Sequence, residues 1–488
     1  MMSRSVKRIW WVALSVVSLC EGQASARSHD DGLVTAIRQE ERISWLGLLK
    51  NISPAEATKG AVIASPSRSQ PDYFYHWTRD AALVMDVVVR AYTGATSISD
   101  RDMAFATVMD YVNFSRLTQE KRTPSGSRDN HYQGFGEPKY FVNGEPYTGP
   151  WGRPQNDGPA LRAITLSHFI MAARTRSKPE VLDLLYQANP DQSILKADLE
   201  FVLHHWRGCC FDLWEEVRGH HFYTMMVQRH ALLLGAAIAD AAQDPLAAVA
   251  YRGVAREIEG ALTSHWDAGR GLIVPTRGRD GGLDYKHQDL DSSVLLAVLH
   301  TRGPGQIFAA SDGRVMHTAL LIEGSFAQLY AINSKSAPGP LAPAIGRYPE
   351  DRYDGVGASE GNPWFLTTLA MAEYYYTVAE ELGAAHEVRI TALNKPFLAA
   401  VGLDSLVEGE TIAEADPRFP RLVAGLIAKG DRFMRRVFAH LPQDGTLPEQ
   451  LSRGDGTPRG ARDLTWSYAS FLTAASARPK VHTQPAKP

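Results

Sequence analysis

The chain has 488 residues, and its 51 lysines and arginines nearly balance 54 aspartates and glutamates, which gives a net charge of −3. This balance removes the electrostatic basis for binding nucleic acid, so we expect no nucleic-acid partner. No apolar stretch reaches the ~18 residues that a membrane span needs, so we expect no membrane span. With 10 Trp, 18 Tyr and 17 Phe, the bulk of the chain is too rich in aromatic residues to be disordered.

The N-terminus has the pattern of a secretory signal peptide. Arg4 and Lys7 precede an apolar run over residues 9–20, and a small-residue site ends at Ala26. A basic start, a short apolar middle and a small-residue exit are the three parts of such a signal. The pattern predicts a signal peptide over residues 1–26, cleaved near Ala26, and a secreted or periplasmic protein. A short buried helix is the weaker alternative, because polar residues follow the apolar run at once.

Removal of that segment takes away Cys20 and leaves Cys209 and Cys210 in the mature chain. Adjacent cysteines rarely form an unstrained bridge, so no disulfide framework is expected. Four histidines flank the pair, namely His204, His205, His220 and His221. They come as neighbours rather than at the spacing of zinc ligands, so the sequence predicts no metal site.

Apolar residues recur at helical spacing in seven segments along the chain. In chain order these segments are residues 79–92, 157–175, 223–242, 246–264, 315–333, 362–381 and 464–476. The stretches between them are long, polar and aromatic, and long loops in compact domains usually carry function. The length suits about a dozen helices. We therefore predict an all-α toroid of six helical hairpins in one catalytic domain over residues 27–476, with a flexible tail over residues 477–488.

Five loop segments concentrate Trp, Tyr, Arg and carboxylate side chains beside the predicted helix ends. They cover residues 71–80, 147–158 and 211–217, then 346–351 with 361–365, and 447–450 with 461–468. Aromatic faces stack on the C–H faces of sugar rings, and Arg and Asp make charge-assisted hydrogen bonds to hydroxyl groups. Hydrolysis of a glycosidic bond uses two carboxyl groups that flank the bond. The residues alone therefore indicate an enzyme that acts on a glycan.

Three of these segments carry a specific resemblance. They read Trp-Thr-Arg-Asp at 77–80, Asp-Leu-Trp-Glu-Glu at 212–216 and Ala-Arg-Asp-Leu-Thr-Trp-Ser-Tyr at 461–468. In this order they resemble the glucoamylases of glycoside hydrolase family 15, over nearly the whole mature chain. The resemblance implies an (α/α)6 barrel. It also implies an exo-acting, inverting hydrolase that releases β-D-glucose from non-reducing ends of α-1,4-glucans such as starch, and acts more slowly on α-1,6 links.

The resemblance also implies roles for individual residues. Glu215 matches the general acid that protonates the glycosidic oxygen, and Glu449 matches the general base that activates water. Asp212 is expected to support the loop of the acid. The residues expected to bind substrate are Tyr73, Trp77, Arg79, Asp80, Trp151, Trp214, Glu216, Arg347, Trp364 and Trp466. No metal or cofactor is implied, the glucan is the expected partner, and we expect a monomer.

Two departures from the family pattern stand out. Gly460 occupies a position where family members often have a hydroxyl residue, so we expect Glu449 to have one hydrogen-bond donor fewer. A missing donor raises the pKa of a carboxyl group, which moves the expected pH optimum toward neutral. The second departure concerns additional domains. Many family members carry a C-terminal starch-binding domain or an N-terminal β-sandwich, and we expect neither in this chain.

Three other functions compete with this reading. A relative with the same fold could act on trehalose, isomaltose or dextran-type chains, since the pocket for the terminal glucose would be shared. A non-catalytic glycan-binding protein is disfavoured because both Glu215 and Glu449 are present. A phosphorylase is disfavoured because a phosphate site would replace the base at Glu449.

Overall fold

The computed structural model describes residues 32–334, 341–403 and 405–479. The predicted signal peptide and the end of the predicted tail lie outside these residues. The helices of the described chain are α1 (32–50), α2 (Thr78–Gly94), α3 (Ile98–Gln119), α4 (Asp157–Thr175), α5 (Glu180–Leu185), α6 (Ile194–His205), α7 (Phe222–Ala241), α8 (Pro245–Leu262), α9 (Ser293–His300), α10 (Gly313–Leu329), α11 (Ala331–Ser334), α12 (Phe365–Ala385), α13 (Lys395–Ala399), α14 (Arg418–Phe438) and α15 (Thr465–Ala477).

Six of these helices form a closed inner ring. Helix α2 packs against α4, α4 against α7, α7 against α9, α9 against α12, α12 against α15, and α15 returns to α2. An outer helix packs on each member: α3 on α2, α6 on α4, α8 on α7, α10 on α9 and α14 on α12. Helix α1 is the sixth outer helix, and its Gly47 lies against the aromatic ring of Tyr468 in the inner helix α15. The predicted (α/α)6 barrel is thereby confirmed.

Composition explains which helices lie inside. The inner helix α12 is apolar on nearly all sides, and most of its residues are buried. The outer helix α14 buries a single stripe and presents charged residues to solvent. That stripe consists of Phe419, Leu422, Leu426, Phe433 and Val437. A stripe at intervals of three to four residues has one face to bury, whereas an all-round apolar helix is stable only inside the ring.

Short strands occur in the loops at the ends of the helices. They are β1 (His76–Trp77), β2 (Lys139–Tyr140), β3 (Cys210–Phe211), β4 (Val217–His221), β5 (Trp266–Asp267), β6 (Leu272–Ile273), β7 (Thr276–Gly282), β8 (Glu387–Arg389), β9 (Thr411–Ala413), β10 (Gln450–Leu451) and β11 (Pro458–Arg459). All the pairs are antiparallel, and β3, β4 and β7 form a three-stranded sheet. Strand β1, the β3–β4 hairpin and strand β10 lie in or beside the loops that carry the candidate site.

The predicted helices agree with the observed ones to within two residues except at three ends, one of which is the C-terminus of α12, which continues to Ala385 instead of residue 381. The segment predicted as 315–333 breaks after Leu329, because Tyr330 adopts an extended conformation before the four residues of α11. The segment predicted from residue 362 begins at Phe365, because Trp364 pairs with Gln450 in an isolated β-bridge. Helices α3, α6, α9 and α14 and the short helices α5 and α13 went unpredicted.

At the C-terminus, α15 includes Ala477, and Arg478 binds the side chain of Asp431. The packed chain therefore extends slightly into the segment expected to be flexible. Among the helices that the structure describes, none combines the length and the hydropathy of a membrane span.

Candidate active site

A cavity of about 320 Å³ opens at the end of the barrel where the inner helices begin. This size lies at the lower end of the range for small-molecule pockets. It is lined by Ala64, Tyr73, Trp77, Arg79, Asp80, Trp151, Gly152, Leu213, Trp214, Glu215, Glu216, Arg347, Tyr353, Trp364, Glu449, Leu464 and Trp466. The structure thus brings both candidate catalytic residues and all ten candidate binding residues to one pocket. The remaining candidate, Asp212, lies behind the wall.

Glu215 occupies the turn between β3 and β4 with a left-handed backbone conformation (φ +68°). This conformation is uncommon for a residue with a side chain and indicates a constrained position. One oxygen, Oε1, accepts hydrogen bonds from Trp77 Nε1 at 2.9 Å and Gln155 Nε2 at 3.0 Å. Arg79 Nη2 lies 3.4 Å from the same oxygen. No donor among the described residues reaches Oε2, which leaves that oxygen for substrate.

Asp212 holds this turn in shape. Its Oδ1 accepts hydrogen bonds from the backbone N–H groups of Glu216 and Val217, at 2.8 and 3.1 Å. Its backbone carbonyl accepts from the Glu215 N–H at 2.9 Å. The Asp212 side chain is buried, so no water molecule could accept these two backbone hydrogen bonds in its place. Asp212 therefore acts on the position of Glu215 and not on the contents of the pocket.

A buried lysine links this turn to the neighbouring wall. Lys286 Nζ lies 2.5 Å from Asp291 and 3.4 Å from Asp212, and all three side chains are almost fully buried. Asp291 in turn accepts a hydrogen bond from Trp214 Nε1 at 2.9 Å. Burial opposes the charge of Lys286, but the two carboxylates outweigh it and raise the pKa of the lysine. One cation thus pairs with both of the buried carboxylates that fix the acid turn and Trp214.

Glu449 is fully buried at the start of the β10–β11 hairpin. Its Oε2 accepts a hydrogen bond from the Ala461 N–H at 3.3 Å, and Oε1 has no hydrogen-bond partner among the described residues. Burial raises the pKa of Glu449 to about 8, although the Ala461 N–H and the nearby Tyr73 hydroxyl oppose the rise. Glu449 lines the pocket, where a water molecule could donate a proton to its carboxylate.

Gly460 faces this carboxylate, as the sequence comparison with the family pattern suggested. A Cβ atom at Gly460 would lie 2.0 Å from Glu449 Oε2, and the backbone φ of +68° also disfavours a side chain. The carboxylate therefore occupies space that only glycine leaves open. The donor that a hydroxyl residue would supply is absent from this position, which agrees with the raised pKa.

Two buried arginines sit in the floor of the pocket. Arg79 donates from Nη1 to Gln155 at 2.8 Å and to Asp157 at 3.0 Å, and its Nε lies 3.6 Å from Asp80. Burial raises the pKa of Asp80 to about 7, with Arg79 opposing the rise. Gln155 and Asp157 thus fix the position of the Arg79 guanidinium group, while the Asp80 carboxylate lies at the surface of the pocket.

Arg347 is held in the same way on the other side. Its Nε and Nη2 atoms bind both oxygens of Asp351 at 2.8 and 2.6 Å, and Nη2 also donates to Glu216 at 2.7 Å. The second oxygen of Glu216 accepts from the Tyr348 hydroxyl at 2.7 Å. A two-point arginine–carboxylate pair fixes the orientation of both groups. Glu216 therefore faces the pocket in a defined position.

Aromatic rings form the walls between these charged groups. Trp214 stacks on Trp466 with an interplanar angle of 22° and a centroid distance of 6.5 Å. Trp364 lies 6.1 Å from Trp214 at a tilt of 55°. The Tyr73 and Tyr353 hydroxyl groups are 2.7 Å apart on the wall near Glu449. Flat apolar faces beside fixed carboxylates and guanidinium groups suit a ring that is apolar on its faces and polar at its edge.

Sequence reasoning missed several residues of this site. Gln155 and Asp157 lie within an aromatic segment already marked, so their positions were available in the sequence, whereas Tyr353 lies between two marked segments. Lys286 and Asp291 lie in and beside a polar loop that carried no distinguishing motif. Within the described ranges, no group of three or more His, Cys, Asp or Glu residues could hold a metal ion.

A helical barrel whose end holds a pocket of carboxylates, arginines and stacked tryptophans has the features of an enzyme that hydrolyses glycosidic bonds. Comparison with known proteins agrees. The family model described as glycosyl hydrolases family 15 matches residues 43–476. A glucoamylase of Blastobotrys adeninivorans is 40% identical over 90% of this chain and 70% of its own length. Glucoamylase 1 of Rhizopus oryzae is 38% identical over 91% and 70%.

Solved structures give the same result. A glucoamylase from Saccharomycopsis fibuligera superposes with a TM-score of 0.84 and 33% identity, over 91% of this chain and 95% of that one. A family 15 glucoamylase from Hypocrea jecorina has a TM-score of 0.83 and 32% identity, over 91% and 72%. The chain belongs to glycoside hydrolase family 15.

Proposed function

We propose that this protein is a glucan 1,4-α-glucosidase that removes glucose from the non-reducing ends of starch, dextrins and maltooligosaccharides. The observation that carries the proposal is the meeting of Glu215 and Glu449 in one pocket whose floor holds two fixed arginines. The similarity to named glucoamylases over most of the chain supports the same activity. A pocket admits the end of a chain, so single glucose units are the expected product.

In this mechanism Glu215 is the general acid. Three donors surround its Oε1, so the proton it transfers is carried by Oε2. That proton goes to the glycosidic oxygen as the bond to the terminal glucose breaks. The role is consistent with the left-handed turn that holds the carboxyl group against the pocket.

Glu449 is the general base. Its free Oε1 takes a proton from water, and the resulting hydroxide attacks the anomeric carbon from the face opposite the leaving oxygen. The new hydroxyl group is therefore β, and the reaction inverts the α configuration of the substrate. Arg79, Asp80 and Arg347 bind the hydroxyl groups of the terminal glucose in this proposal.

The test is a time course of products from maltoheptaose. Wild-type protein should release glucose from the first time point and shorten the chain by one unit at a time. Glu449→Gln should lower turnover by at least about 10²–10⁴-fold, because general-base catalysis contributes that much. Early release of maltose or maltotriose, or an active Glu449→Gln variant, would contradict the proposal. Parallel assays on trehalose, isomaltose and dextran measure whether other α-glucosides are preferred.

We further propose that the protein is exported from the cytoplasm. The support is the basic, apolar and small-residue pattern over residues 1–26, which lies outside the described residues. N-terminal sequencing of protein recovered outside the cytoplasm should begin near residue 27. Protein retained in the cytoplasm with Met1 or Met2 at its N-terminus would overturn this proposal.

A further inference from the structure

A continuous run of aromatic rings leads from the catalytic pocket to the protein surface. Trp77, which donates to Glu215, lies 5.9 Å from Trp151 between ring centroids. Trp151 lies 5.7 Å from Tyr147, and Tyr147 lies 5.9 Å from Phe141. Each step is within the range of direct ring contact. The run therefore forms one wall that extends beyond the residues lining the pocket.

Exposure increases along this wall. Trp77 is 5% exposed, Trp151 and Tyr147 are half-buried, and Phe141 is 40% exposed. Folding alone does not explain an exposed phenylalanine at this place, because its position in the loop after β2 leaves much of the ring in water. Single exposed apolar residues are common on proteins. What distinguishes Phe141 is its direct continuity with the rings of the pocket.

A buried cation holds the wall together. Lys139 Nζ lies over four rings, with distances to their centroids of 3.7 Å for Trp151, 4.1 Å for Tyr75, 4.3 Å for Tyr147 and 4.6 Å for Trp77. Within the described part of the chain, no carboxylate pairs with this ammonium group. Cation–π attraction between the buried ammonium group and these four rings favours their observed relative positions. A wall fixed in this way is preorganised to bind a ligand.

We propose that Phe141 is the outer end of a glucan-binding wall, where its ring stacks on glucose units well beyond the scissile bond. This inference rests on the proposed function and names a further subsite for the same substrate. The occupant is the distal part of an α-glucan, because the wall begins at the candidate acid and continues outward as a series of aromatic ring faces. Short substrates do not reach this subsite, so its effect depends on chain length.

The test compares kcat/KM on maltose and maltoheptaose for wild type and Phe141→Ala. The variant should lose about three- to tenfold on maltoheptaose and stay within about twofold of wild type on maltose. Phe141→Tyr keeps an aromatic ring and should retain wild-type values. Phe74→Ala is the matched control, since the Phe74 ring lies under the Arg68 guanidinium instead of within the wall.

Three results would overturn the proposal. One is an unchanged rate on maltoheptaose, and another is an equal loss on both substrates, which would assign Phe141 a structural role. The third is loss of a dimer on sedimentation with unchanged kinetics, which would make Phe141 an interface residue. A wild-type protein that releases no glucose from maltoheptaose would instead contradict the proposed function itself, so the two failures are distinguishable.

Discussion

The two carboxyl groups proposed for catalysis differ in how their oxygens are occupied. Glu215 has one oxygen surrounded by donors, whereas the fully buried Glu449 has only a long hydrogen bond from the Ala461 N–H and the nearby Tyr73 hydroxyl, and its Oε1 has no hydrogen-bond partner among the described residues. Burial without compensating donors disfavours the ionised form of a carboxyl group. The pKa of Glu449 is therefore raised, and this residue sets how the reaction responds to acid.

The first prediction concerns the acid limb of the pH profile. Glu449 must be ionised to act as a base, so activity falls as the pH drops through its pKa. Because burial raises that pKa to about 8, the acid limb of kcat/KM should lie several units above the usual pKa of a glutamate. A profile of kcat/KM between pH 3 and pH 10 on maltotriose measures it. An acid limb near pH 4 would contradict this account of Glu449.

The second prediction concerns Gly460. Gly460→Ala should lower kcat by about ten- to a hundredfold, because the new Cβ displaces the Glu449 carboxylate and a displacement of about 1 Å has effects of that size. A serine would meet the same overlap, so its hydroxyl cannot simply be added as a donor. Gly454→Ala, in the loop of the same hairpin, is the control because a Cβ there meets no atom closer than 3.8 Å. Equal activity of both variants would show that Glu449 tolerates displacement.

At the scale of elements, the acid turn depends on one aspartate that never reaches the substrate. Asp212 accepts two backbone N–H groups of the β3–β4 turn, and Lys286 neutralises its charge. Hydrogen bonds to buried backbone groups are costly to lose, since the groups remain without water. The geometry of Glu215 therefore depends on a contact within the hairpin.

The third prediction follows from this contact. Asp212→Ala should lower kcat about a hundredfold with a much smaller change in KM, because the turn loosens and Glu215 moves. Asp212→Asn keeps the accepting oxygen and should retain activity within about tenfold of wild type. Steady-state kinetics on maltotriose separate the two. Equal losses in both variants would mean that the charge pair with Lys286, and not the hydrogen bonds to the turn, governs the acid.

The elements also show what the sequence could and could not predict. Helices such as α4 and α7 were predicted because their apolar residues recur at helical spacing. Helix α14 was missed although its apolar stripe is regular, because Gly425, Gly430 and many basic residues interrupt it. The loops rich in aromatic residues indicated a glycan-binding site, and the individual site residues were implied by the resemblance to the family. The pairing of Lys286 with Asp212 was not predicted, because 74 residues separate the two and only the folded barrel brings them together.

At the scale of the whole molecule, buried histidines make the free energy of unfolding depend on pH. His76 is 2% exposed and accepts a hydrogen bond from the Val62 N–H, and burial lowers its pKa to about 3. Burial also lowers the pKa of His300 to about 3 and of His230 and His265 to about 4. An unfolded histidine binds a proton near pH 6.5, so these groups contribute stability above that pH. The contribution is lost as the pH falls toward 3–4.

The fourth prediction tests this coupling at His76. His76→Asn keeps an acceptor for Val62, and should lower the melting temperature at pH 7 through lost packing. Between pH 7 and pH 4.5 the difference from wild type should close by about 2–3 kcal/mol, because only the wild type loses the contribution of the buried neutral ring. Calorimetry at both pH values measures it, with the exposed His287→Asn as control. A difference that stays constant with pH would contradict the coupling.

The central claim is that Glu215 and Glu449 act as an acid–base pair on opposite faces of the terminal glucose. The most direct test is the anomeric form of the first product, followed by proton NMR within the first minutes of maltotriose hydrolysis and before mutarotation. Attack by a water that Glu449 activates predicts β-D-glucose as the initial product. Initial formation of α-D-glucose would contradict the account, because it requires a covalent intermediate or attack from the same face.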